Sequence, residues 1–531
     1  MQSMKRRVRV AATAILTAAS VVSAATTETT RRSSSGRVRP PALPVSTPEA
    51  QGMDSNGLAE GIQLLLDNRD HLRVHAVSVA RHGHLVAAVR FWPFQAGQRH
   101  DLASVTKSLT STLIGIAIDR GEIAGLDEPV IGFFSGRQIA NLDTRKRAMT
   151  VGDLLAMRSG LECDPSGGEI TLQMMMASPD WVQFALDLPM AETPGERFVY
   201  CSPNYHLAAA VLESATGTSL AEYARLYLVS RLGGAGVSWA GDPQGLERGW
   251  GDARLEPIDM AAIGELMLDD GVARGVEVVS ESWVVKATSP PEGSNPPAGW
   301  PPGSDYGLSW VLNNRGFVAD GRGYQVIEVF PDEGLVVAIN AGGAGDPAIA
   351  DAVWREFRDD FVLGAILSEE PLPANPGGEL QLAAAATAAA QRTDGPTVGP
   401  PTLPGTAVGV SGRTIRFDPE TSLFHTIRLD FEPGEPEALM SIGMPAIQGG
   451  PEFTIRIGLD GRFRFAPGRF GVDAMAAGAW HTDTRFVVDF DEIGLINLWR
   501  LTFDFDGNNV TLDLESVAGG LQSGVFTGIM E

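Results

Sequence analysis

The chain has 531 residues, enough for two or more domains that each bury a full core. Its composition, 44% apolar and 20% charged, is that of an ordinary globular protein. With 65 carboxylates against 41 Lys and Arg, the formal charge is −24, which argues against nucleic acid or an anionic membrane as main partner, because both need a basic face.

The N-terminus reads as an export signal over residues 1–24. "MKRRVRV" is a basic lead, "AATAILTAASVVSA" an apolar run too short to span a bilayer comfortably, and Val22-Ser23-Ala24 a small-residue cleavage site. This predicts a periplasmic or extracellular protein with no stable membrane anchor after cleavage. Residues 25–45 are polar and proline-bearing and are expected to be disordered.

Periodic structure begins near residue 46. "NGLAEGIQLLLDN" has helical spacing, and "HAVSVARHGHLVAAVRF" predicts two strands about a turn at His82-Gly83. A long helix is expected from Ser104 to Arg120, stopped by Gly121, with Val105, Leu109, Leu113 and Ile116 on one stripe. Helices are expected at 150–158, 179–187, 204–216 and 257–270. "YGLSWVLN", "YQVIEVFP" and "GLVVAINAGG" then read as consecutive antiparallel strands. Strands, a helical middle and strands again predict an α/β layer with a helical insertion over 46–366. Residues 367–408, rich in Pro, Gly and Ala, read as a linker. From 409 to 531 the period is two, with turns at Asp460-Gly461 and Asp506-Gly507-Asn508, so an all-β domain, a barrel or a sandwich, is expected.

Of the familiar hydrolase signatures, no Gly-x-Ser-x-Gly and no His-Glu-x-x-His occurs, and the eight histidines are scattered. "DFDGNN" at 504–509 sits in a hairpin rather than in a calcium loop, so no metal is expected. The remaining candidate is Ser104-Val105-Thr106-Lys107. Lysine occurs only four times, at Lys5, Lys107, Lys146 and Lys286; arginine supplies the other basic residues and cannot act as a base near neutral pH. Three residues apart on a helix, Ser104 and Lys107 share a face, and the positive helix N-terminus helps keep a lysine neutral. Bringing a lysine from about 10.4 to near 7 takes ~4–5 kcal/mol, within the reach of burial. A neutral Lys107 could then take the Ser104 proton and make the hydroxyl a nucleophile.

"HDLASVTKSLTSTLIGIAIDRGEIAGLDEPV", "MTVGDLLAMRSGLEC", "PGERFVYCSPNYHLAAAVLESATG", "LEPIDMAAIGELMLDDG" and "YGLSWVLN" with "ADGRGYQVIEVFP", in this order over about 46–365, resemble the serine β-lactamase and penicillin-binding-protein superfamily. The resemblance is to its class C-like branch of esterases and 6-aminohexanoate-oligomer hydrolases. It implies an antiparallel sheet flanked by helices with a helical subdomain, no cofactor, and a small ester or amide substrate. It makes Ser104 the acylated nucleophile, Lys107 its proton partner and Tyr200 the relay to the leaving group. Tyr-x-Asn falls on Tyr200-Cys201-Ser202, with Ser202 in place of Asn. The third motif, Lys-Thr-Gly or His-x-Gly, is replaced by Gly321-Arg322-Gly323 followed by Tyr324-Gln325. By the same resemblance, the Tyr324 N–H would join that of Ser104 as the oxyanion hole. A β-lactamase, a D-amino-acid peptidase, or a binding or sensor protein without turnover remain alternatives. Cys163 and Cys201 are the only cysteines, and sequence leaves them bridged or free.

Overall fold

The structure, a computed structural model, describes residues 42–164, 169–293, 303–393, 402–418, 422, 424–444, 452–496, 498–517 and 523–531. The expected export signal, and the expected lead up to residue 41, lie outside these residues.

Among the described residues, seven strands build the main sheet: β1 (Leu72–Arg81), β2 (His84–Arg90), β3 (Asp305–Tyr306), β4 (Val311–Asn313), β5 (Gly316–Gly321), β6 (Gln325–Phe330) and β7 (Leu335–Ala344). Their order is β2-β1-β7-β6-β5-β4-β3, and every neighbouring pair is antiparallel. The β1–β2 turn has positive φ at both His82 (49°) and Gly83 (73°), the backbone that a two-residue hairpin with native twist requires.

Strand β7 is buried along its whole length because helices cover both faces of the sheet. Its side chains alternate between them. Val336 and Ala338 join a core with Ile114 of α2 (Val105–Asp119) and Ile263 of α4 (Pro257–Leu268). Val337 and Ile339 join another core with Leu58 and Ile62 of α1 (Ser55–Asp67) and Trp354 of α5 (Pro347–Glu356). Between α2 and α4 the chain forms the expected helical subdomain, in which α3 (Ser202–Thr216) packs on α2.

A second lysine has a structural task there. Buried Lys146 donates from Nζ to the carbonyls of Ala140, Leu186 and Leu188, 2.6–3.1 Å away, so all three ammonium hydrogens are used.

Within the segment expected to be a linker, residues 367–393 are structured. Leu367 and Leu372 hydrogen-bond back to Gly52 and Glu49, and Pro376–Ala389 forms helix α6 against α1. The alanine run that reads as low complexity is also the strongest of helix formers. Its small side chains let Ala385, Ala386, Ala388 and Ala389 pack against the α1 side of the core.

The C-terminal domain is a barrel rather than a sandwich. Nine strands form it among the described residues: β8 (Thr414–Phe417), β9 (Thr426–Phe431), β10 (Glu437–Gly443), β11 (Phe453–Gly458), β12 (Asp473–Trp480), β13 (Arg485–Glu492), β14 (Leu498–Asp506), β15 (Asn509–Ser516) and β16 (Gly524–Met530). Parallel pairing of β11 with β12 at Ile457 and Ala476 closes the ring and removes its free edges. Inward side chains such as Phe431, Phe486, Phe503 and Phe505 fill it, and Ala407 and Val410 of the short helix Gly405–Val410 join the same core.

The barrel packs directly on the main sheet. Arg73 pairs with Asp491 at 2.6 Å, Gln98 donates to Asp473 at 2.6 Å, and Ala76 and Phe94 share a small core with Met475 and Ile493. No helix among the described residues is long and apolar enough to cross a membrane.

Candidate active site

The site is built on the approach to α2. His100-Asp101 pairs with Ala253–Leu255, and the chain then turns sharply, with Ala103 at φ +45°. The Asp101 carboxylate holds that turn by accepting the Ala103 N–H at 2.9 Å. Ser104 is the N-cap residue of α2, which begins where the Lys107 N–H reaches the Ser104 carbonyl.

The hydroxyl-rich side of α2 is buried along with its apolar stripe. Ser108, Thr110 and Ser111 donate to the carbonyls of Ser309, Gly249 and Leu308 at 2.7–2.8 Å, so the buried hydroxyls are satisfied by tertiary hydrogen bonds.

Ser104, Lys107 and Tyr200 converge. Lys107 Nζ lies 2.8 Å from Ser104 Oγ and 3.0 Å from the Trp250 carbonyl, and Tyr200 Oη lies 2.9 Å from Ser104 Oγ. The ammonium also stands 4.9 Å from the centre of the Tyr200 ring. Burial lowers the Lys107 pKa to about 8, although the Glu169 and Asp252 carboxylates pull it the other way. Burial first and the Glu169 carboxylate second push Tyr200 above its ordinary value, so its phenol keeps its proton. One buried group is thus poised to accept a proton and the other to give one.

Tyr200 sits on the segment that leads into α3 and Ser202 opens that helix, and a Cys163–Cys201 disulfide, Cα atoms 5.8 Å apart, ties this segment to the stretch around Cys163. Ser202 Oγ donates to Glu169 Oε1 at 2.5 Å. Glu169 escaped sequence reasoning: it belongs to no motif, and the fold brings it in from 33 residues away.

The opposite wall is the β5–β6 hairpin. Gly321 belongs there for a physical reason: a Cβ on it would stand 2.8 Å from the Leu102 carbonyl oxygen and 3.1 Å from the Ser104 nitrogen. Gly323, at φ +75°, faces the barrel, where a Cβ would meet Ile496 Cγ2 at 2.4 Å. The Tyr324 side chain points away, its hydroxyl donating to Asp351 at 2.5 Å with the Pro347 carbonyl 3.2 Å away on α5. The Gln325 amide braces the hairpin, donating to the Gly323 and Ala341 carbonyls and accepting from Asn340. Arg322 is exposed but within electrostatic reach of Asp101 and Asp252. Asp252 itself pairs with Arg248 at 2.5 Å. Among the described residues no group of three or more His, Cys, Asp or Glu side chains is placed to hold a metal.

A family model described as Beta-lactamase matches residues 59–357. The 6-aminohexanoate-dimer hydrolase of Paenarthrobacter ureafaciens is 27% identical over 261 residues, 45% of this chain; the match spans 63% of that relative's length. A putative 6-aminohexanoate-dimer hydrolase from Bacillus anthracis superposes with a TM-score of 0.50 at 19% identity, covering 60% of this chain and 86% of the other. The octameric penicillin-binding protein homologue from Pyrococcus abyssi gives 0.46 at 17% identity, over 90% of this chain and all of that one.

Proposed function

The chain belongs to the Beta-lactamase family, and on that premise we propose that it is a serine hydrolase that cleaves ester or amide bonds through an acyl-enzyme on Ser104. The observation that carries this reading is the meeting of two proton-transfer groups on one hydroxyl, Lys107 at 2.8 Å and Tyr200 at 2.9 Å.

In the neutral form, Lys107 has one lone pair and two hydrogens. One hydrogen is held by the Trp250 carbonyl, which leaves the lone pair free to turn toward Ser104. As Ser104 Oγ attacks the carbonyl carbon, its proton passes to Lys107 and the carbonyl electrons move onto oxygen. The Ser104 N–H and the Tyr324 N–H, which follows the Gly321-Arg322-Gly323 turn that lies against Ser104, would stabilise that oxyanion; one such donor is commonly worth about 10²–10³ in rate. Collapse of the intermediate breaks the bond to the leaving group, which takes a proton from Tyr200, and Lys107 restores it. Water then repeats the sequence on the acyl-enzyme.

The export reading of residues 1–24 is part of the proposal, and Edman sequencing of the secreted protein would test it: a mature chain that starts at Met1 would end it. For the catalytic reading, Ser104→Ala should remove turnover of p-nitrophenyl acetate while thermal unfolding stays within a few degrees of wild type. A Ser104→Ala variant that keeps its turnover would refute it.

A further inference from the structure

One loop of the barrel touches both backbone segments that flank Ser104. The loop Ile493–Ile496, between β13 and β14, buries Ile493, Leu495 and Ile496 to 4% exposure or less. On one side the Gly494 carbonyl accepts the Asp101 N–H at 2.7 Å. Asp101 is the residue whose carboxylate holds the Ala103 turn before Ser104. The loop is so close there that a Cβ on Gly494, at φ +87°, would stand 2.6 Å from the Arg99 carbonyl oxygen. On the other side Ile496 lies on the backbone of Gly323, in the hairpin turn that starts at Gly321 beside the Ser104 nitrogen.

The loop has little freedom to move. It follows two buried carboxylates on β13: Asp491 pairs with Arg73 of the main sheet, and Glu492 pairs with Arg469 of the barrel. The Ile493 and Leu495 N–H groups donate to the Asp473 and Glu492 carbonyls at 2.9 Å.

We propose that this barrel loop is a clamp that fixes the spacing between the two backbone walls of the oxyanion site, with Ile496 as its positioning residue. The inference rests on the serine hydrolase reading and adds to it that the C-terminal barrel takes part in catalysis without touching the substrate. Its physical basis is that an oxyanion donor works only when held at hydrogen-bond distance, and a displacement of ~1 Å can cost about 10²-fold in rate.

The test uses the full chain with Ile496→Ala and Ile496→Val, kinetics on p-nitrophenyl acetate and butyrate, and active-site titration by the p-nitrophenolate burst. Per titrated site, Ile496→Ala should lower kcat about 10- to 100-fold on both esters with KM nearly unchanged. Ile496→Val, which keeps the β-branch, should fall between Ala and wild type, and it decides the matter if the Ala variant does not fold. Unchanged kcat per site in a folded variant, or a loss confined to KM for the longer acyl chain, would overturn the clamp. If wild type itself has no Ser104-dependent turnover, the hydrolase reading has failed instead.

Discussion

Lys107 and Ser104 are bound side chain to side chain at 2.8 Å, one helical turn apart, and the lysine is 1% exposed. A charged ammonium is costly at such a place, which is why the Lys107 pKa falls to about 8. On the present account only the neutral amine is the active form. The profile of kcat/KM should therefore rise with pH through about 8 and then level, and fall tenfold per pH unit below it. Glu169→Gln removes a carboxylate that favours the ammonium, so it should move this limb to lower pH. A limb that stays in place, or moves up, would show that Glu169 does not act on Lys107.

Lys107→Arg keeps the positive charge but supplies no base. Turnover of p-nitrophenyl acetate should drop by about 10²–10⁴. An Arg variant within tenfold of wild type, measured on folded protein, would mean that Lys107 acts only through its charge.

How much of this was legible in the sequence depends on distance along the chain. The Ser104–Lys107 pair is a local helical spacing, and the β1 and β2 strands are marked by their alternation and by His82-Gly83. Strand β5 was not foreseen, because "GFVADG" carries two glycines and an aspartate that weaken any strand signal. Glu169, the Trp250 carbonyl and Ile496 reach the site only through tertiary folding and carry no spacing of their own. Gly321 and Gly323 stand out in the sequence only as part of the replaced third motif. The structure identifies the neighbours, Ser104 for one and the barrel for the other.

A buried histidine pair links the sheet to the segment before Ser104. His100 Nδ1 lies 2.8 Å from the Asp101 carbonyl and must be the donor there; neutral His100 Nε2 is then an acceptor, and His75 Nδ1, 2.9 Å away, donates to it. Burial takes His100 down to about 4 and His75 well below its usual value, with Arg254 and Arg73 adding to the respective shifts. Both folded pKa values lie below the unfolded one, so the stability the pair contributes is present above about pH 6.5 and is lost as pH falls toward 4. Each histidine contributes at most about 1.4 kcal/mol per pH unit in that window. Asp101, raised to about 6 by burial and Asp252, works in the opposite sense, as does the raised Asp491. The comparison with a His75→Gln variant therefore isolates the pair: urea midpoints from pH 7 to 4.5 should fall less steeply for the variant. Equal slopes would contradict this.

The Cys163–Cys201 bond closes a 38-residue separation and joins the Tyr200 segment to the stretch around Cys163. Unfolded, unreduced protein should give no reaction with a thiol reagent, and reduction should lower stability by about 3–4 kcal/mol in the chain-entropy picture. Two reactive thiols in the unreduced protein would contradict the pairing.

Substrate preference follows from the charges around Ser104. The third-motif lysine that would grip an antibiotic's carboxylate is absent, and a contact of that kind is commonly worth ~1.5–3 kcal/mol. Arg322 is a weak substitute, since Asp101 and Asp252 already share its field, and Glu169 adds negative charge nearby. Short p-nitrophenyl esters should accordingly exceed a chromogenic cephalosporin in kcat/KM by at least tenfold. A preference for the cephalosporin would mean that Arg322, or another group, anchors its carboxylate.

The most direct test of the central claim is to find the acyl group. Protein quenched in acid within the burst phase with p-nitrophenyl butyrate, digested and mapped by mass spectrometry, should carry one butyryl group on the peptide containing Ser104. The adduct should be lost in Ser104→Ala. A butyryl group on another residue, or one that survives Ser104→Ala, would contradict the account.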